Sequence, residues 1–317
     1  MVPTLFFEAS QGVTAQLSEL FNFTWPTEAA LWNLRWQVLG YVQTTGKVDH
    51  HDLNARFVRG SGVASADLKS ACLVSTWEAQ QEQFAKFLLF ELCALYEAWL
   101  EFVVPRAVAR RDVENVRKLL QFPPDPQKPA SGYTRGITIV NSDVSQALRH
   151  EIFPVLITHS KNSWSSVAQL LIAYRYFKEV RNVCIHAGGL ADQKVIDTHS
   201  LLQAIPPTTF GFNRAVPEAS PVPGAKVRIS LFDMVGFSTI VHRLIVTFDA
   251  ALAVSKTAEA DLVARVRAKH PLVLMLSTSN HARRRQQVVQ LLSKARVPKP
   301  VSTRLLEGVL IGSGIAA

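Results

Sequence analysis

The sequence predicts an all-α protein, a helical bundle with helical extensions at both ends. Apolar side chains recur at helical spacing, most clearly at Phe84, Leu88, Leu95, Trp99 and Phe102. Proline and glycine stand between such segments, where helices are expected to begin and end. Of the 317 residues, 48% are apolar and 19% are charged, which argues against disorder and for a sizeable core.

The first segment, residues 1–64, is interpreted as an N-terminal helical extension. Its clearest helix is expected over residues 27–42, with Trp32, Trp36 and Leu39 forming the buried stripe. Gly60-Ser-Gly62 follows as a candidate boundary between this extension and the rest of the chain.

A loop in this extension contains four residues of types that bind metals, Asp49-His50-His51-Asp52. Adjacent side chains point in different directions, and no further cluster of ligands lies nearby in the sequence. The pattern therefore favours a solvated turn before a short helix over a metal site, and no metal or other cofactor is expected.

The middle segment, residues 65–255, predicts the bundle itself. On a helical wheel of its first long helix, Glu91 falls inside the apolar stripe, whereas Glu97 falls on the polar side. A carboxylate on a buried face needs a cation or hydrogen-bond donors, so a partner is expected for Glu91. Helices are predicted over residues 65–104, 106–121, 142–158, 163–187, 195–204 and 233–254, with extended pieces at 137–140 and 226–231.

Residues 174–189, YRYFKEVRNVCIHAGG, are the most informative stretch of the chain. Arg181 and His186 lie five residues apart near the end of a helix, Asn182 follows the arginine, and Gly188-Gly189 supplies a helix stop. A second pair with the same spacing, Arg265 and His270, has no polar partner after the arginine and is followed by proline. Spacing alone does not separate the two pairs, but context favours the first.

The helix that carries this motif is apolar on two sides, with a polar ridge between them. The ridge comprises Arg175, Glu179, Asn182 and His186, spaced by four, three and four residues. A helix with two apolar faces is covered either by two layers of one core or by a core and a second subunit. We expect a homodimer whose interface includes the second apolar face, formed in part by Tyr176, Val180 and Val183.

Two explanations of the buried polar residues on this helix remain open. Arg181 either serves a site or simply neutralises Glu91 in the core.

The last segment, residues 256–317, is interpreted as a basic C-terminal helical module. The formal net charge of the chain is +9, and a cluster of basic residues, including Arg283, Arg284 and Arg285, lies in this segment. Basic residues on one helix favour a polyanionic partner, and two helices joined by a short break also permit a helix-turn-helix-like contact with DNA.

The three cysteines, Cys72, Cys93 and Cys184, form no paired framework and suggest small buried side chains in a reducing compartment. The N-terminal sequence lacks the pattern of a signal peptide. The most apolar run, residues 84–104, is interrupted by charged residues and is interpreted as a buried helix, not as a membrane span. A soluble, cytoplasmic protein is therefore expected.

The chain resembles the HEPN superfamily in three segments taken together, which are FELCALYEAWLEF, EVRNVCIHAGG and KVRISL. The last of these leads into a long helix. The mark of that superfamily is an R-x4-6-H motif with a polar residue directly after the arginine. The resemblance covers about residues 70–254, and the RN-x3-H-x-GG block is its most specific part.

The resemblance implies an up-and-down helical bundle that dimerises with two motif helices facing each other, which in active members forms a metal-independent ribonuclease site. Arg181 and His186 match the catalytic pair, and Asn182 matches the polar position. Glu97 matches the glutamate often found in the first helix of the family, whereas the helical wheel favours Glu91. Both glutamates remain candidates.

The resulting hypothesis is an endoribonuclease of the HEPN type, a microbial toxin or antiphage-defence effector with RNA as its substrate and an antitoxin or defence protein as a further partner. Glu179 is a supporting residue, and Arg175, Arg283, Arg284 and Arg285 are candidate RNA contacts. The alternatives are a HEPN-fold interaction or nucleic-acid-binding protein without catalysis, and a DNA-binding regulator that uses the basic segment.

Overall fold

The protein is all-α, as the sequence predicts. The computed structural model describes residues 3–317, and within that range only isolated β-bridges, and no strands, are formed. The α-helices are α1 (Glu8–Thr45), α2 (His50–Phe57), α3 (Trp77–Val103), α4 (Val113–Leu119), α5 (Gly132–Val140), α6 (Phe153–Leu156), α7 (Val167–His186), α8 (Gln193–Gln203), α9 (Leu231–Leu252), α10 (Lys256–Lys269), α11 (His281–Lys294) and α12 (Arg304–Gly312).

Polar caps fix the starts of several helices. Asp49 and Asp52 form a reciprocal capping box at the start of α2, and Ser230 and Asp233 do the same for α9. The side chain of Asp192 accepts a hydrogen bond from the Val195 backbone at the start of α8. Each cap satisfies backbone donors that the helix itself leaves without partners.

The centre of the fold consists of α3, α7, α8 and α9. Helices α3 and α7 pack against each other: the Tyr96 and Tyr174 rings lie 4.7 Å apart, and Glu97 forms an ion pair with Lys178. Phe237 of α9 stacks on α7, with its ring centroid 4.5 Å from that of Phe177. Helix α8 covers the opposite side of α7. Helix α7 is therefore enclosed by neighbours on two sides.

The three segments inferred from the sequence share one hydrophobic core. Phe6 and Phe7 are buried in it beside residues of α3 and α9, and so are Leu262 of α10 and Leu292 of α11. The buried carboxylate of Asp249 in α9 accepts hydrogen bonds from both the Phe6 and Phe7 backbone amides. The N-terminal and C-terminal segments are thus built into the bundle.

A second, smaller cluster lies at the far end of α1. It comprises Val38, Leu53, Val58, Leu68 and Cys72. Helix α1 spans both clusters because it is 38 residues long, about 57 Å at the usual helical rise.

The N-terminal helix differs from the expectation in length and in its buried face. It begins at Glu8 and continues through Pro26, whereas the sequence suggests a start near Thr27. Trp32 and Trp36, predicted to form the buried stripe, are 39% and 55% exposed. Their rings instead contact each other, and the Trp32 ring lies 5.0 Å from that of Trp77. The aromatic content of α1 was therefore a misleading guide to its buried side.

A second difference concerns residues 137–140, which were expected to be extended and instead form the end of α5. The short β-branched run there packs Ile137 and Val140 into the core as successive turns of a helix. Residues 226–230 form no helix, as expected, but Leu231, the last residue of the predicted extended piece, is the first residue of α9.

Helix α9 is long and apolar enough to cross a membrane by length and composition alone, but 72% of its most apolar window is buried within the fold. A core helix passes the same test, so its composition is weak evidence for a membrane span.

Candidate functional site on helix α7

Helix α7 presents the predicted polar ridge between its two buried faces. Arg175, Glu179, Asn182 and His186 fall on one side of the helix because their spacing repeats with each turn. Both flanking faces are buried within the same chain: Tyr174 and Phe177 on one side, Tyr176 and Val180 on the other. Of the four ridge residues, His186 is exposed, Arg175 and Asn182 are partly exposed, and Glu179 is buried.

Hydrogen bonds connect the ridge residues in series. Arg175 is paired with one carboxylate oxygen of Glu179, and the other oxygen accepts a hydrogen bond from the Asn182 amide at 3.2 Å. The Asn182 oxygen in turn accepts a hydrogen bond from Nη1 of Arg181 at 3.3 Å. Glu179 is only 7% exposed, and these two donors compensate the burial of its charge.

Arg181 is half-buried and has no carboxylate partner. Its Nε is buried without a hydrogen-bond partner, and within residues 3–317 it forms no ion pair. In the described part of the chain, its one side-chain hydrogen bond is the one to Asn182. A guanidinium with free donors and no counter-charge is suited to hold an anion such as a phosphate.

His186 is the last residue of α7, and its side chain is exposed. The backbone turns immediately after it: Gly188 and Gly189 both have positive φ, and the Gly189 amide donates to the Val183 carbonyl at 2.9 Å. The Gly189 carbonyl then accepts a hydrogen bond from Val227, which ties the extended segment before α9 to the end of the motif. The two glycines thus allow the chain to leave α7 without covering His186.

The inward-facing glutamate of α3 is Glu97, not Glu91. Glu97 forms an ion pair of 2.7 Å with Lys178 of α7, and Lys178 also donates to the Gln121 side chain. Glu91 is exposed, so the prediction that it lies in the buried stripe is wrong. The explanation of Arg181 as the neutralising partner of a buried Glu91 fails for the same reason.

The helical wheel misplaced Glu91 because it took Phe102 as a member of the buried stripe. Phe102 is 59% exposed, whereas the buried side of α3 is centred on residues such as Leu92, Cys93 and Tyr96. A stripe centred on these residues leaves Glu91 on the outer face.

The face predicted to form the dimer interface is buried inside the protein. Tyr176 and Val180 are fully buried and Val183 is 4% exposed. The Tyr176 ring lies 5.4 Å from the ring of His199 in α8. The prediction that Tyr176, Val180 and Val183 contact a second subunit is therefore wrong, because α8 of the same chain covers them.

Lys178 is a residue of this site that the sequence analysis did not single out. It lies three residues from both Arg175 and Arg181, so the three cations are spaced by one short helical turn each. This spacing is a signal that could have drawn attention to it. Lys178 connects α7 to both α3 and the end of α4 through Glu97 and Gln121.

Cys93 of α3, which lies near Arg181, is not a nucleophile candidate. Cys93 is fully buried, and burial raises the pKa of its thiol to about 12, with a further contribution from Glu97.

The residues considered as metal ligands have other contacts. Asp49 caps α2, and His50 contacts Ser65 and Asn54. Across residues 3–317, no group of three or more histidine, cysteine, aspartate or glutamate side chains is arranged to hold a metal ion.

The basic cluster of α11 is divided between paired and free side chains. Arg284 forms an ion pair with Glu307 of α12, whereas Arg283 and Arg285 are exposed. Arg285 donates to the Val301 carbonyl at 3.3 Å. These arginines are therefore not equivalent as candidate RNA contacts, and they lie on a different helix from the ridge.

No family model, curated protein or solved structure matches this chain.

Proposed function

We propose that the protein is a metal-independent endoribonuclease in which Arg181 and His186 act on the scissile phosphate. The observation that carries the proposal is the state of Arg181: a half-buried guanidinium with unused donors and no carboxylate partner, on the same helix as an exposed histidine. A cation with an unused donor and an exposed imidazole about one and a half turns further along the same helix can supply charge stabilisation and proton transfer.

The reaction that suits these residues is attack of the ribose 2′-OH on the adjacent phosphorus. The bond from the 2′-oxygen to phosphorus forms, the bond from phosphorus to the 5′-oxygen breaks, and a proton moves from the first oxygen to the second. Arg181 stabilises the charge that builds on the phosphate oxygens, and His186 serves one of the proton transfers. Because side chains supply both functions, the chemistry requires no metal.

Asn182 and Glu179 are proposed to position Arg181. The Asn182 oxygen holds one guanidinium nitrogen, and Glu179 fixes the Asn182 amide from the other side. This arrangement leaves Nη2 of Arg181 to bind an anion, because Nη1 is held by Asn182 and Nε is buried.

Two proton transfers are needed, and each chain contributes one histidine of this kind. A homodimer would supply the second. Since α8 covers Tyr176, Val180 and Val183, such a dimer would have to form at the end of α7, where Ile185 and Leu190 are 47% and 46% exposed beside His186. A role as a toxin or antiphage-defence effector, with an antitoxin or defence protein as partner, belongs to the same proposal.

The test compares RNA cleavage by the parent, Arg181→Ala and His186→Ala, in the presence of a chelator. We expect each substitution to reduce the cleavage rate by about 100-fold or more, because each removes a group that acts on the transition state. The matched control is His270→Ala, from the other pair with the same spacing, which should cleave like the parent. Circular dichroism establishes that each variant is folded.

Equal cleavage by the parent and a folded Arg181→Ala protein would contradict the proposal. RNA that binds to the parent without being cleaved would favour the alternative of a nucleic-acid-binding protein that lacks catalysis.

A further inference from the structure

A groove lies beside the arginine end of the polar ridge. Its volume is about 670 Å³, and it lies between the end of α4, the proline-rich loop that follows, α7 and α8. The apolar floor includes Leu119, Phe122, Ile172 and Leu201. Sites for small organic groups are typically apolar concavities of ~300–1,000 Å³ with a few polar groups, and this groove has that character.

The groove presents an aromatic ring that carries a cation. The guanidinium of Arg175 lies over the Phe122 ring, 4.3 Å from its centroid, and the ring is 37% exposed. Phenylalanine rings and arginine planes are the surfaces on which unpaired bases stack in proteins that bind single strands.

The rim of the groove carries groups that suit a nucleotide. Lys118 and Asn115 are exposed on α4, and Thr198 contributes a hydroxyl from α8. A lysine at the rim can contact a phosphate, and an amide and a hydroxyl can bond to the polar edge of a base. Asp125 is the one acidic residue of the lining, which also contains Lys118 and Arg175, the latter paired with Glu179.

The wall of the groove is held in a fixed shape by a glycine. Gly132 has φ of +55°, and a Cβ at that position would lie 2.3 Å from the Pro123 carbonyl oxygen. The Phe122 carbonyl also accepts a hydrogen bond from the Tyr133 amide at 3.0 Å. The loop that carries Phe122 is therefore closed tightly against the start of α5, and the ring is presented by a pre-formed wall.

The groove is connected to the proposed catalytic residues by the ridge. Arg175 is linked to Arg181 through Glu179 and Asn182. Arg175 and His186 are eleven residues apart on nearly the same side of α7, about 16 Å along the helix axis. A single strand lying along the ridge could thus occupy the groove and reach His186 at the same time.

We propose that this groove binds one unpaired RNA base at a fixed distance from the scissile phosphate, with the base against Phe122 and a neighbouring phosphate on Lys118. The inference rests on the proposed function in taking RNA as the substrate. It adds that the substrate is single-stranded and that one nucleotide away from the cleavage point is recognised by stacking.

The experiment measures binding of a labelled single-stranded RNA of roughly 12 nucleotides to His186→Ala protein, which leaves the RNA intact. One abasic nucleotide is placed at each position in turn. The groove is filled by Leu201→Trp, a substitution at a 56% exposed residue, and the matched control is Leu272→Trp at an 83% exposed residue outside the groove. Circular dichroism and thermal unfolding verify that both are folded.

We expect the abasic nucleotide to weaken binding about tenfold at one position, in His186→Ala alone and with Leu272→Trp added. With Leu201→Trp, that position should lose its effect. Lys118→Ala is a second variant, which removes the proposed phosphate contact without filling the groove. It should lower the slope of log Kd against log salt by about 0.7, whereas the control Lys269→Ala, outside the groove, should leave that slope unchanged.

An abasic effect that is absent, or unchanged by Leu201→Trp, would overturn the inference, and so would failure to bind RNA. Cleavage by the parent is measured separately. Cleavage that depends on Arg181 but shows no abasic effect would leave the proposed function standing without the groove. A position-specific abasic effect without cleavage would leave the groove standing without the ribonuclease.

Discussion

The chain contains two arginine–histidine pairs with identical spacing, and their surroundings differ in kind. Arg265 is 13% exposed and forms an ion pair of 2.9 Å with Asp261, while its Nη1 donates to the Phe6 carbonyl at 3.0 Å. Its guanidinium also lies 4.8 Å from the centre of the Phe6 ring. Both guanidinium groups contain a buried nitrogen without a hydrogen-bond partner, but Arg181 has one amide contact and, among residues 3–317, no carboxylate within ion-pair distance.

The difference separates a structural arginine from a candidate functional one. Arg265 connects α10 to the N-terminal segment, so its charge is used within the fold. The charge of Arg181 is not neutralised by a carboxylate in the described part of the chain. A half-buried cation that the fold does not neutralise is costly to maintain, and such residues are found at binding and catalytic sites.

The largest expected difference is in stability. Arg265→Ala should lower the free energy of unfolding by about 3 kcal/mol, because it leaves Asp261 without its main partner in a mostly buried setting. Arg181→Ala should lower it by less than about 1 kcal/mol, because no opposite charge loses a partner. Urea unfolding of the two variants and the parent measures both values.

Equal losses in the two variants would show that Arg181 is also structural. A loss below about 1 kcal/mol for Arg265→Ala would mean that Arg106, which lies 3.5 Å from Asp261, replaces it.

The second prediction concerns pH dependence near Arg265. Burial raises the pKa of Asp249 from 3.8 to about 6, although the Phe6 and Phe7 amides and the Arg265 charge oppose the rise. The folded protein therefore binds this proton more tightly than the unfolded chain does. The stability that this group contributes is fully present below pH 3.8 and is lost as the pH rises through about 6.

Asp249→Asn isolates that contribution because asparagine does not titrate. The stability of the parent relative to this variant should fall by about 2.4 kcal/mol between pH 4 and pH 7. Chemical unfolding at a series of pH values measures the difference. A difference that stays constant with pH would mean that Asp249 keeps an unshifted pKa despite its burial.

The third prediction repeats the comparison of paired and free arginines within α11. Replacing the exposed Arg283 and Arg285 together by alanine should reduce the slope of log affinity for RNA against log salt by about 1.4. Arg284→Ala should change the slope little, since Glu307 already pairs with Arg284. Binding titrations over a salt series test this. Equal slopes for the parent and the double variant would show that α11 does not contact RNA.

The smallest expected effect distinguishes the two glutamates of α3. Glu97→Gln should cost at most about 1 kcal/mol of unfolding free energy, because the Glu97 side chain is 29% exposed and its ion pair with Lys178 is partly solvated. Glu91→Gln should change stability by less than about 0.5 kcal/mol, as expected for an exposed residue. Thermal unfolding of the two variants side by side ranks them, and a larger loss for Glu91→Gln would contradict the assignment.

The sequence by itself determined the all-α class and the position of the motif. Helical periodicity, capping residues and the Gly188-Gly189 stop act over one or two turns, so they can be recognised without knowing what surrounds them. For that reason α7 ends at His186, one residue before the predicted end at residue 187, and the ridge residues share one side of the helix.

Only the tertiary structure decided which faces are covered and which charges are paired. The two apolar sides of α7 were recognised from the sequence, but α8 covers one of them where a second subunit was expected. Likewise, counting Phe102 as buried made Glu91 look like the inward-facing glutamate of α3. In the structure Phe102 is exposed, and Glu97 is the glutamate that pairs with Lys178. The two R-x4-H pairs were indistinguishable by spacing, because the features that separate them are tertiary: Asp261 beside Arg265 is mostly buried, and the Phe6 carbonyl that binds Arg265 lies far away in sequence. The periodicity of a sequence shows that one face of a helix is apolar. Which element packs against that face is determined by contacts between residues far apart in the sequence.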